Sequence, residues 1–189
     1  MRKIIGFKLP HKVKEIQRRA KRAGLDLEAL GLSEPELCLL LEGAARALKP
    51  AVLFDTFSQP DADAPALAPV QGLAYSLVLA TLGPGFSAER EKARRESPER
   101  LPLWELAQQV ALEEAVRFAT AILEDEAAKE SCELSPLSPI SEASALGALV
   151  RKLDGSKIGV EASGGALTPE ATTACGVSWL SKTKARGRK

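Results

Sequence analysis

One stretch of the chain constrains its fold more than any other. From Pro102 through Trp104 to about Lys129, the apolar residues Leu103, Ala107, Val110, Ala111, Ala115, Phe118 and Ile122 recur at intervals of three and four. That period places them on one face of an amphipathic helix. It is the longest periodic segment in the sequence, and it reads as the spine against which shorter elements pack.

The other predicted elements are shorter. Val13, Ile16, Ala20 and Ala23 mark a basic helix that Gly24 ends. Ser33-Glu34-Pro35-Glu36 has the form of a capping box with proline in the first turn, and Leu37, Leu40, Leu41, Ala44 and Leu48 carry the helix down to Lys49-Pro50. A further helix follows Ser141, with Ala143, Leu146, Leu149, Val150 and Leu153 on its inner face and Asp154-Gly155 at its end. Residues 51–57, 73–82, 157–162 and 172–180 read as extended runs, and residues 166–169 as a short one. Between them, 61–69 and 133–141 read as loops, 86–100 as a charged helix or connector, and Ser163-Gly164-Gly165 as a turn. The elements alternate irregularly and the strands are short. The expected class is therefore α+β, an antiparallel twisted sheet with packed helices, rather than a doubly wound parallel sheet.

At 189 residues and 45% hydrophobic, the chain has enough material for one domain with a real core. Its longest apolar run, 73–80, is far below the ~18 residues of a membrane span. The basic start is broken by Pro10, His11 and Lys12 before a signal-peptide core can form, so the sequence reads as cytoplasmic, with no membrane partner. Cys38, Cys132 and Cys175 are odd in number and widely spaced, which argues for packed thiols. His11 is the only histidine, leaving no base for a Ser/His or Cys/His nucleophile and no histidine-built metal site.

Charge is unevenly spread. Residues 1–22 carry nine Lys/Arg against the single acid Glu15, and 181–189 carry five against none; with an overall charge of +1, the stretch between them is at −12. The chain thus divides into a basic N-terminal segment and helix (1–24), an α+β domain (25–180) and a basic tail (181–189). No aromatic side chains interleave the basic ends, so solubilising tails are expected rather than a nucleic-acid interface.

Several short motifs, taken in order, carry a resemblance. Lys49-Pro50-Ala51-Val52 leads into a strand, Thr81-Leu82-Gly83 ends one, and Ser135-Pro136 follows the spine helix. Lys157-Ile158-Gly159-Val160 and Leu167-Thr168-Pro169 lie near the end. Over roughly residues 20–180 this order resembles the activation domain of cobalamin-dependent methionine synthases and its stand-alone relatives. The resemblance implies an antiparallel α+β fold that presents S-adenosylmethionine to the cobalamin of a partner module, where an electron from a flavodoxin-like donor and the methyl group restore methylcobalamin. It implies Glu113, with Glu114 as the alternative register, facing the ligand from the spine helix, where a carboxylate favours the sulfonium and α-amino cation. It also implies Ser135 and Pro136 in the ligand motif.

The chain departs from the family pattern beside those residues. Glu133 stands where the family has an arginine for the methionyl carboxylate, Leu137 where it has glycine, and Ser138 where it has tyrosine. The Asp-x-His-x-x-Gly cobalamin signature is absent, since His11 has Leu9 two residues before it. Cobalamin is therefore expected only through a partner, a corrinoid protein or methionine synthase modules. Two expectations follow: an accessory protein for reductive remethylation of a corrinoid, or a non-catalytic docking or regulatory domain that kept the fold and lost S-adenosylmethionine. Neither assigns the chain a nucleophile or base of its own.

Overall fold

The apolar run at 73–82 is buried along nearly its whole length in the computed structural model, which describes residues 1–182. Successive side chains of a strand point to opposite sides, so such a run requires cover on both faces of its sheet. The chain supplies it with β1 (Arg2–Ile5), α1 (Val13–Arg22), α2 (Glu34–Ala47), β2 (Ala51–Ser58), α3 (Ala64–Leu67), β3 (Ala74–Thr81), α4 (Pro84–Glu96), α5 (Leu101–Lys129), β4 (Cys132–Leu134), β5 (Ser138–Pro139), α6 (Ala143–Lys152), β6 (Glu161–Ser163), β7 (Ala166–Thr168) and β8 (Thr172–Ser181). The main sheet runs β1-β2-β3-β8-β4, with β5 also on β8, and every pairing is antiparallel. The fold is α+β, an antiparallel sheet with packed helices.

Alternation divides the sheet's side chains cleanly. Val52, Phe54, Val78, Ala80, Cys175, Val177 and Trp179 face α5 and meet Ala115, Val116, Ala119, Leu123 and Ala127. Leu53, Tyr75, Leu77, Leu79 and Ala174 face the other way, onto Leu146 and Leu149 of α6, onto Leu153 just after it, and onto Val160 and Leu67. Beneath α5 the buried polar atoms are paired: the Trp179 indole N–H donates to Ser76 Oγ at 2.7 Å, and Ser76 shares a 2.7 Å hydrogen bond with Thr56. The first half of α5 passes beyond the sheet, where Leu103, Ala107 and Val110 pack with Ile16, Leu37 and Leu41 of α1 and α2. Trp104 meets Phe86 edge to face at 5.7 Å.

Several sequence expectations are met. The Glu36 carboxylate accepts from the Ser33 backbone N–H at 2.8 Å and heads α2, and Gly164-Gly165, both at positive φ, turn the β6–β7 hairpin. Others need correction. The run predicted as a strand at 157–162 is a 3-10 turn, Gly155–Ile158, followed by β6, because Asp154 and Gly159 on either side of it take left-handed backbone that a strand cannot hold. The loop at 61–69 contains α3. The predicted inner face of α5 is met at Leu103, Ala107, Val110 and Ala115, which are buried, but over the sheet it turns: Val116, Ala119, Leu123 and Ala127 join Ala115 there, while Phe118 lies at the surface, stacked on Phe7 at 4.6 Å. The segment 1–24 is built into the same body, since β1 pairs along β2 and α1 packs on α5. Of the basic tail, Ser181 ends β8, and residues 183–189 lie outside those described.

Candidate functional site

The strand order leaves an opening beside α5. Because β4 is three residues long and β5 two, the far edge of β8 is only partly covered, and the chain crosses it between them through Ser135, Pro136 and Leu137. The result is a groove of about 720 Å³, within the size range of small-molecule sites. One wall is a helical stripe of α5 running from Glu105 through Gln108, Gln109, Leu112, Glu113, Val116, Arg117 and Thr120 to Glu124; Thr173 and Cys175 of β8, with Leu137 and Pro139, complete it. At 1.5 Å per residue the stripe is about 28 Å long.

Glu113 stands on this wall with its side chain 41% exposed. Arg19 of α1 holds it in a two-pronged ion pair, Nη1 to Oε1 at 2.8 Å and Nη2 to Oε2 at 2.6 Å. The guanidinium keeps the Glu113 carboxyl below its usual range, and the same pair raises the Arg19 guanidinium further. At that exposure the pair contributes about 1 kcal/mol at most. Glu114 points elsewhere, to Arg117 at 2.9 Å and Lys12 at 3.6 Å, so the groove takes Glu113 and not the alternative register.

Ser135 and Pro136 are not in the groove. Ser135 is buried and occupied: its N–H donates to the Ser178 carbonyl at 2.8 Å, and its Oγ accepts from the Ser178 N–H at 2.9 Å. Pro136 is exposed beside it. The lining comes from the next residues, Leu137 and Pro139, with Leu137 43% exposed. Glu133 is absent from it too: Cys132 and Leu134 turn toward α5, so alternation sends Glu133 to the opposite side of the sheet. The repulsion that Glu133 promises in sequence therefore does not arise in the groove.

Sequence reasoning missed Glu105, Gln108, Gln109 and Glu124, though their three- and four-residue spacing is visible beside the apolar stripe. It also missed Thr173 and Cys175, whose place depends on β8 reaching the sheet's interior. The Cys175 thiol is pushed up by burial, which leaves it protonated and unreactive. Among the described residues no group of three His, Cys, Asp or Glu is arranged to hold a metal, and no helix is long and apolar enough to cross a membrane.

The opposite face holds a second polar cluster, whose charges are paired with one another. Lys152 Nζ bonds Asp61 at 2.8 Å and Asp63 at 3.2 Å, and lies 4.8 Å from the centre of the Phe57 ring. Tyr75 is fully buried beside them, and burial raises its phenol; Lys152 and Asp61 sit near enough to act on its ionisation, yet its Oη makes no well-formed hydrogen bond. A depression of about 730 Å³ nearby is lined wholly by residues 59–72, one loop's own folds, and joins no second element. The groove beside α5 is thus the better candidate. No protein-family model matches the chain, and no curated protein matches it.

Proposed function

We propose that this chain is an accessory protein resembling the methionine synthase activation domain, which holds S-adenosylmethionine in the groove beside α5 and presents it to a corrinoid carried by a partner protein. One observation carries the reading. Of the residues that the resemblance implies, Glu113 stands on the wall of a groove of ligand size, and the chain just after Ser135-Pro136, through Leu137 and Pro139, forms its other side. In this role the protein contributes position and charge: a carboxylate near the sulfonium, apolar surface from Leu112, Val116 and Leu137 for the nucleoside, and an open side for a partner. Calorimetric titration with S-adenosylmethionine tests it. Saturable binding in the millimolar range or tighter, weakened several-fold by Glu113→Gln, is expected, together with association with a cobalamin-loaded module. The absence of both would end the reading.

A second reading, a docking or regulatory domain without the ligand, draws on a different observation. Arg19 already satisfies Glu113 on both oxygens, and Ser178 already engages Ser135. On that reading the partner module binds and S-adenosylmethionine does not.

A further inference from the structure

The charges along the groove reach beyond the identity of one ligand. Its stripe on α5 carries three carboxylates, Glu105, Glu113 and Glu124, and one cation, Arg117. Glu113 is paired with Arg19 while its side chain stays 41% exposed, and Arg117 is engaged by Glu114 at 2.9 Å. Glu105 and Glu124, exposed toward opposite ends of the stripe, join no ion pair among the described residues. The two ends are about 28 Å apart, so a small cation meets one uncompensated carboxylate, at whichever end it enters, and an incoming carboxylate meets no uncommitted cation at either. Between the two ends the apolar side chains Leu112, Val116, Leu137 and Pro139 alternate with the uncharged polar Gln108, Gln109, Thr120 and Thr173, and Leu137 is 43% exposed.

We infer that the groove selects by positive charge, and that its ligand class is an apolar-bodied sulfonium or ammonium compound for which a carboxylate is a handicap. This rests on the reading of the groove as the ligand site and sharpens its specificity. Pairs of exposed charges a few ångströms apart are worth on the order of 1 kcal/mol in water, so each unit of ligand charge is expected to change affinity about five-fold at low salt.

The experiment is a titration of the full chain with four probes: S-adenosylhomocysteine, which is neutral overall; S-adenosylmethionine, which carries one net positive charge; its decarboxylated analogue, which carries two; and spermidine, which has no nucleoside. The expected result is affinity rising in that order across the three adenosyl compounds, a gradient that flattens in 0.5 M salt and falls below about two-fold per step in the Glu105→Gln, Glu124→Gln double variant. Both positions are exposed helix surface, so the variant keeps the fold. A flat or reversed order with S-adenosylmethionine still bound would overturn charge selection and leave the proposed function standing. Binding of spermidine alone would support charge selection and overturn the proposed function. No binding by any probe would overturn both.

Discussion

The two faces of the sheet are covered in different ways. One is crossed by a single helix of 29 residues, α5, which buries its centre and leaves an open groove along one flank. The other is covered by short pieces, α3, α6 and the turn Gly155–Ile158, and the loop around α3 is fastened to it by Lys152 through Asp61 and Asp63. Gly176 belongs to the second arrangement, because a Cβ there would collide with the Leu67 carbonyl. A single long element cannot follow a twisted sheet at every point and so leaves space at its side, whereas several short ones can each be fitted. The open face is the one that carries the groove along the flank of α5.

This contrast can be tested by truncating the centre of each face. Leu123→Ala under α5 and Leu149→Ala under α6 remove side chains that are 1% and 0% exposed, and each is expected to cost about 3 kcal/mol in urea denaturation. A Leu123 cost below about 1 kcal/mol would mean that α5 is held by its α1 and α2 contacts and not by the sheet. Next comes the fastening of the other face. Lys152 holds the Asp61 carboxyl below its ordinary range, so the stabilisation is present above the ordinary Asp value and is lost as pH falls through the depressed one. Lys152→Met should therefore reduce the dependence of stability on pH in the acid range below about pH 4, leaving the neutral-to-acid difference smaller than in the parent. An unchanged slope would show that the loop is held by Leu67 and the Ser178–Val70 contacts alone.

The smallest effect belongs to the open face. Arg19→Ala should cost under about 1 kcal/mol and return the Glu113 carboxyl toward its ordinary value, which a carbon-detected NMR titration would follow. The depressed carboxyl contributes stability only above its ordinary range, so the parent and variant should differ at neutral pH and converge as the solution is acidified. If the Glu113 titration does not move, the two-pronged pair is not its controlling contact.

How far these faces could be read in advance varies by residue. Strands β2 and β3 and the cap at Ser33 carry their own local signals, and they stand where the sequence puts them. Strand β1 has only four residues, two of them charged, and becomes a strand because β2 offers it an edge. The turn of α5's inner face over the sheet is also non-local: Phe118 and Ile122 continue the apolar stripe as well as Ala119 and Leu123 do, and only the position of the sheet decides between them. The candidate site follows the same division. Glu113 is legible as a carboxylate on a long helix, but its partner Arg19 is 94 residues away, and Ser135 looks like a motif residue until β8 arrives to occupy it.

The position of β8 governs how the chain can assemble during synthesis. β8 pairs with the central strand β3 along Ala74–Thr81, yet it is made about 90 residues later. At translation speeds of roughly 5–20 residues per second, β3 waits on the order of 5–20 s with one edge bare. In that interval β2 and α5 are its available cover, and both precede β8 in the chain. Since α5 lies on a face of the sheet and not along that edge, the bare edge of β3 is closed by β8 alone.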